Sequence, residues 1–224
     1  MNRFEDITRV VLTVARVTPN GSELLGTATL LNKSGHFVTA AHITGNDDSN
    51  LVILMPHING LSQYQDTSIV EARYVNVRMV AINPLHDLCI LKVDTNEDYS
   101  SNINISSLEG VNVGDSVTMF GFPDLNFGKR VLTQQHTHVG AKILLENGGE
   151  KLKHAVINIQ SRKGQSGSPV FNSVNLNLIG ILVGSYAPNN GKGGILIGGL
   201  DPLTFHPATH IISAEYIREL MDYE

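Results

Sequence analysis

Three short stretches carry side chains suited to nucleophilic catalysis. Val38-Thr39-Ala40-Ala41-His42 closes an apolar run with two small residues and an imidazole, so the turn can pack tightly and hold the ring. Asn83-Pro84-Leu85-His86-Asp87-Leu88-Cys89-Ile90-Leu91 sets a carboxylate at the head of a strongly apolar strand, where partial burial demands a partner. Gly164-Gln165-Ser166-Gly167-Ser168-Pro169-Val170 places a serine between glycines in a tight turn that leads into a strand. Glycines there let the backbone take strained conformations and turn two N–H groups to one side. Taken singly, each stretch has an ordinary structural reading: a histidine after a strand, a turn aspartate, a glycine-rich loop. Together they supply a nucleophile, a base to take its proton and an acceptor to fix the tautomer of that base. The candidates are Ser166, His42 and Asp87, in the chain order His, Asp, Ser.

The elements that must position them read mostly as strands. Ile7 to Ala15, Leu24 to Leu31, Leu51 to Met55, Ile69 to Ile82 and Leu88 to Val93 are rich in Val, Ile, Leu and Thr. The texture returns in Ser116 to Phe120, Arg130 to Thr133, Ala141 to Leu145, Ala155 to Ile159, Leu178 to Val183, Gly194 to Ile197 and Thr209 to Ile212. Short β-rich runs punctuated by Gly, Asn, Asp and Pro indicate an all-β barrel or sandwich. The polar segment Asp94 to Val113 divides two halves of similar size, as a link between two barrels or as a surface loop within one larger sheet. At the end, Ser213 is a candidate N-cap before Glu215, Ile217, Arg218, Leu220 and Met221, a helical pattern.

The composition narrows the function classes. The chain has 224 residues, 42% of them hydrophobic, which excludes wholesale disorder and provides for a core without staples. A net charge of -5, with no long basic run, speaks against nucleic acid as a partner. No stretch nears the roughly 20 apolar residues of a membrane helix, so no membrane partner is expected. The acidic start Met1-Asn2-Arg3-Phe4-Glu5-Asp6 is unlike a leader, and the single Cys89 cannot form an internal disulfide, so the expected compartment is the cytoplasm.

Thr39-Ala40-Ala41-His42, His86-Asp87-Leu88-Cys89-Ile90-Leu91 and Gly164-Gln165-Ser166-Gly167-Ser168-Pro169 resemble the active-site motifs of trypsin-like serine proteases. The flavour is bacterial, similar to HtrA/DegP-type protease domains and glutamyl endopeptidases. Val113-Gly114-Asp115-Ser116-Val117 with Gly121-Phe122-Pro123 resembles the start of the second HtrA-type barrel, and Gly167 to Asn172 is nearer the glutamyl endopeptidase form. The resemblance spans Val10 to Leu220 and leaves no room for a PDZ domain. It implies an all-β fold of two packed six-stranded antiparallel barrels with a short C-terminal helix. Residues 1–224 would form one protease domain, with the first barrel at about 7–100, the second at about 110–212 and the helix at 213–222.

The same resemblance implies roles. His42 would be general base and then acid, Asp87 would orient it, and Ser166 would attack a peptide carbonyl. The N–H groups of Gly164 and Ser166 would form the oxyanion hole. No metal or organic cofactor is required. Gln165 stands where secreted pancreatic relatives carry an Asp that pairs with a new N-terminus, so ion-pair activation is not expected here. Gln160, Ser161, Leu182, Val183, Gly184 and Ser185 would line the specificity pocket. Gln160 replaces the acidic residue of basic-specific enzymes, and Leu182 replaces the histidine of Glu-specific ones. The expected preference is a small or medium uncharged side chain. The expected partners are a polypeptide substrate and a regulatory protein, because free proteolysis in the cytoplasm would harm the host.

Other residues invite other readings. His136 with His138, and His206 with His210, have spacings that could hold a metal, but no Cys or carboxylate cluster accompanies them. Cys89 reads as a buried inert thiol, and Pro188 to Gly194 as a surface turn lacking P-loop spacing. A catalytically silent peptide- or protein-binding module is the alternative function. An α/β-hydrolase esterase would need alternating helices that are not apparent.

Overall fold

The computed structural model describes residue 4 and residues 6–69, 71–94, 99–186 and 208–222; the side chains of 185, 186 and 208 are outside that description. The first six strands are β1 (Val11–Thr18), β2 (Gly21–Leu30), β3 (His36–Ala40), β4 (Leu51–Leu54), β5 (Tyr74–Asn83) and β6 (Leu88–Val93). They close into a barrel in the order β1-β2-β3-β6-β5-β4. The next six are β7 (Ser116–Gly121), β8 (Thr133–Asn147), β9 (Glu150–Ile157), β10 (Pro169–Asn172), β11 (Leu178–Tyr186) and β12 (Ala208–Ser213). They close in the ring β7-β8-β9-β12-β11-β10, the same connectivity. Every pairing between these twelve strands is antiparallel. The fold is therefore all-β, and closing both sheets leaves neither barrel an open edge to protect.

Several local readings change. Ile7–Val10 is a single helical turn, α1, rather than the start of a strand. The strand expected at Arg130 to Thr133 begins only at Thr133, and the one expected at Ala141 to Leu145 is part of the same 15-residue strand, β8. Gln134, His136 and His138 point outward there while Thr137 and Val139 are buried, so half of this strand is polar and mimics a loop in sequence. Ser213 ends β12 instead of capping a helix, and its hydroxyl accepts the N–H of Leu108 at 3.0 Å. The expected strand Gly194 to Ile197 and the turn Pro188 to Gly194 lie outside the described residues.

Apolar side chains fill each barrel and the seam between them. Val117, Met119, Val139, Ile157, Leu182 and Ile211 pack inside the second barrel. A larger cluster joins Val38, Leu88 and Ile90 of the first barrel to Phe120, Phe171 and Ile181 of the second. A one-turn helix, α2 (Ala41–Thr44), follows β3, and the C-terminal helix is α3 (Glu215–Asp222). Helix α3 leaves the second barrel and packs on β5 and β6 of the first. It buries Tyr216, Ile217 and Leu220 there. The Tyr216 hydroxyl accepts the N–H of Lys153 at 2.9 Å, and its ring lies 4.6 Å from that of His86.

Backbones approach most closely at the seam. A Cβ on Gly167 would sit 1.9 Å from the Thr27 carbonyl oxygen and 2.6 Å from Thr39 Oγ1, and φ there is +86°. Both the conformation and the space exclude a side chain. Gly167→Ala is expected to cost about 3 kcal/mol or more of stability, read as an earlier urea midpoint with an unchanged slope. Wild-type stability in that variant would show that the seam opens at little cost.

Candidate active site

Strand register delivers the first two candidate groups. Thr39 pairs with Cys89 and Ala40 with Leu88, so the residues just beyond Ala40 meet those just before Leu88. The N–H of Ala41 donates to the Asp87 carbonyl at 3.0 Å. Asp87 takes a left-handed φ of 53°, which a short polar side chain tolerates better than most. Its carboxylate then faces His42 with both oxygens. Oδ1 accepts the His42 backbone N–H at 2.8 Å, and Oδ2 lies 2.6 Å from Nδ1. That contact makes Nδ1 the protonated nitrogen and leaves Nε2 as an acceptor.

The third group arrives through the barrel seam. Thr27 on β2 donates its N–H to the Ser166 carbonyl at 2.9 Å and its hydroxyl to the Gly164 carbonyl at 2.8 Å. Its own carbonyl accepts the Thr39 hydroxyl at 2.7 Å. Ser166 Oγ thereby comes to 2.9 Å from His42 Nε2. The structure brings His42, Asp87 and Ser166 into one hydrogen-bonded chain. The imidazole is about half exposed at 46%, open to an incoming molecule, while Asp87 is more covered at 27%.

The turn before Ser166 is tightly organised. The N–H groups of Gln165, Gly167 and Ser168 donate to the carbonyls of Arg162, Leu182 and Gln165. Those of Gly164 and Ser166 meet no acceptor among the described residues. Gly164 has φ +96°, and a Cβ on it would strike the Phe122 carbonyl at 2.4 Å. Leu125, in a short 3-10 turn at Leu125–Phe127, packs beneath the same glycine. Arg162 Nη1 pairs with Asp124 Oδ2 at 3.0 Å, a second tie between this turn and the β7–β8 connection. Thr27 and Leu125 have no signature in sequence: each is an ordinary strand or loop residue until the second barrel is laid against the first.

The other sequence-derived candidates have the following places. Leu182 is fully buried among the side chains of the second barrel, and Val183 is buried at the seam. Gln160 is exposed, and the N–H of the half-buried Ser161 donates to Thr209 Oγ1 at 2.8 Å. Gly184 lies opposite His210 on β12, and Ser185 opposite Thr209. His86 Nε2 reaches Glu150 Oε2 at 3.4 Å. His136 contacts Thr118 and Ser173, with its ring 6.1 Å from that of His138. His206 lies outside the described residues. Burial pushes the Cys89 thiol up to about 11, so it is protonated at neutral pH.

One cluster had no sequence signal. His154 on β9 and His210 on β12 place their Nδ1 atoms 3.1 Å apart, and His210 pairs with Gly184 of the adjacent β11. Only one of the two can donate, so a second proton sets donor against donor. Burial, followed by the charges of His210 and His86, pushes His154 down to about 4.

A family model of the trypsin-like peptidase domain matches residues 26–181. The chain belongs to the trypsin-like peptidase domain family. Its structural neighbours include the MamO protease domain, Deg5 and the HtrA-type protease AlgW. The MamO protease domain from Magnetospirillum magneticum, in its apo form, is 16% identical with a TM-score of 0.67, over 96% of this chain and 97% of that one. Deg5 is 15% identical at a TM-score of 0.68, over 98% and 90%. The HtrA-type protease AlgW with a decapeptide is 17% identical at 0.64, over 99% of this chain and 67% of that one. Comparison with curated proteins by sequence finds no match.

The histidine pair sets an acid limit. The folded state favours neutral His154, whereas the unfolded chain takes up that proton near 6.5. Below 6.5 the unfolded state binds more protons, so stability falls as pH drops from 6.5 towards 4. His154→Gln is expected to shallow this limb in chemical denaturation at stepped pH. Identical limbs in both proteins would remove the pair as its cause.

Proposed function

We propose that the protein is a serine endopeptidase that cleaves peptide bonds through a covalent acyl-enzyme. The observation that carries this reading is the continuous chain Asp87–His42–Ser166, with contacts of 2.6 and 2.9 Å, beside two N–H groups that meet no acceptor among the described residues. In the first step Ser166 Oγ bonds to the substrate carbonyl carbon and its proton passes to His42 Nε2. Asp87 accepts from Nδ1–H and stabilises the imidazolium that forms. The carbonyl oxygen gains negative charge beside the Gly164 and Ser166 N–H groups, donors placed before that charge develops. His42 then gives its proton to the leaving amine. Water, deprotonated by the same imidazole, releases the acid and frees the serine.

An extended polypeptide suits the neighbouring strand. Strand β10 pairs with β11 only as far as Ile181, whereas β12 continues along Gly184 to Tyr186. The other edge of that stretch can accept a substrate as an added strand. The AlgW neighbour was captured with a decapeptide, which supports polypeptide as the substrate class. Gln160, Ser161, Leu182, Val183, Gly184 and Ser185 are proposed to shape a preference for small or medium uncharged side chains. The uncharged Gln160 and Leu182 support this preference. A peptide-library profile dominated by cleavage after Arg, Lys or Glu would reverse it.

A fluorophosphonate probe should label the folded protein once per chain, and Ser166→Ala should abolish labelling. Asp87→Asn should fold and lower turnover about 10⁴-fold, because the imidazole loses the acceptor that sets its tautomer. A folded wild-type protein that neither labels nor cleaves any peptide, yet binds peptide, would instead be a silent binding module.

A further inference from the structure

The residue before the nucleophile is held in an unusual way for so demanding a position. Gln165 is fully buried, with 0% exposure. Its Oε1 accepts the backbone N–H of Arg162 at 2.8 Å, which fixes the orientation of the amide. Its Nε2 therefore faces outward from the turn and donates to Gln135 Oε1 at 2.7 Å. Its backbone N–H also donates to the Arg162 carbonyl, so residues 162–165 close into a small ring of hydrogen bonds. Gln135 belongs to β8, where it pairs with Met119 of β7 inside a continuous sheet. The amide pair thus fastens a glycine-containing turn to the rigid wall of the second barrel without any charge.

We propose that Gln135 is a positioning residue for the oxyanion hole: as acceptor for the buried Gln165 amide, it holds the 162–165 turn so that the Gly164 N–H faces the oxygen on which charge develops. The inference rests on the serine-hydrolase reading of the same site. Gly164, at φ +96°, has little conformational preference of its own to keep its N–H in place. Arg162–Asp124 ties the far side of the turn but is exposed, and exposed ion pairs hold weakly. Gln165 is buried, so removing its acceptor strands a donor away from water, and the turn must shift to satisfy it. The Gln165–Gln135 pair also leaves no charge at this position for an ammonium group to neutralise.

Fluorophosphonate labelling tests this without a known substrate. Ser166 Oγ bonds to phosphorus, fluoride leaves, the serine proton passes to His42, and the phosphoryl oxygen occupies the oxyanion position. In Gln135→Leu the labelling rate constant should fall by about ten- to a hundredfold while the final stoichiometry stays at one per chain. Gln135→Glu keeps an acceptor oxygen at the same reach and should recover most of the rate. Gln135→Asn, one methylene short, should resemble Leu and serves if the Leu variant does not fold. A merely structural role would instead lower the labelled fraction and leave the rate of the remaining molecules unchanged. That result, or equal impairment in the Glu and Leu variants, would overturn the proposal. Failure of the wild-type protein to label would remove both the enzyme reading and this proposal with it, whereas normal labelling of wild type and of Gln135→Leu would remove this proposal alone.

Discussion

The contact between β2 and the turn that carries Ser166 is the constraint on which the candidate site depends. Thr27 uses its N–H, its carbonyl and its hydroxyl together, towards Ser166, Thr39 and Gly164. Each is a modest bond on its own, worth about 1 kcal/mol net. Their joint effect is geometric. The bonds to Ser166 and Gly164 hold a loop of one barrel against a strand of the other at backbone distance, a separation that Gly26 and Gly167 permit by carrying no side chain, and the Thr39 bond steadies that strand within its own barrel. With that spacing set, the 2.9 Å approach of Ser166 to His42 follows.

Each barrel makes a different contribution. The first pairs β3 with β6 so that a histidine and an aspartate emerge from adjacent strand ends. The second offers a serine on a turn whose amides are stitched to Leu182, Arg162 and Gln135. Neither barrel alone holds His42, Asp87 and Ser166 together. The C-terminal helix crosses back to cover β5 and β6, so the interface is closed on one side by the chain's own continuation.

Much of this was legible in the residues. The three motifs stood out because each has a local composition, small residues before His42, an apolar strand after Asp87, glycines around Ser166. The two β-rich halves were visible as well, since Val, Ile and Leu runs alternate with turn residues. What stayed hidden depends on partners distant in the chain. Gln135 and Gln165 are 30 residues apart, His154 and His210 are 56 apart, and no spacing rule links either pair. The first half of strand β8 was obscured by its exposed Gln134, His136 and His138. Thr27 is one threonine among several in β2, and only the register of two barrels distinguishes it.

The ring order of the second barrel has a consequence for synthesis. Strand β12 lies between β11 and β9, so this barrel cannot close until residues 208–213 are available. Helix α3 comes later still, and it seals the first barrel, which was translated long before. A ribosome-bound chain that already carries His42, Asp87 and Ser166 therefore lacks a finished wall behind its serine. Until then the approach of Ser166 to His42 has no closed second barrel to support it.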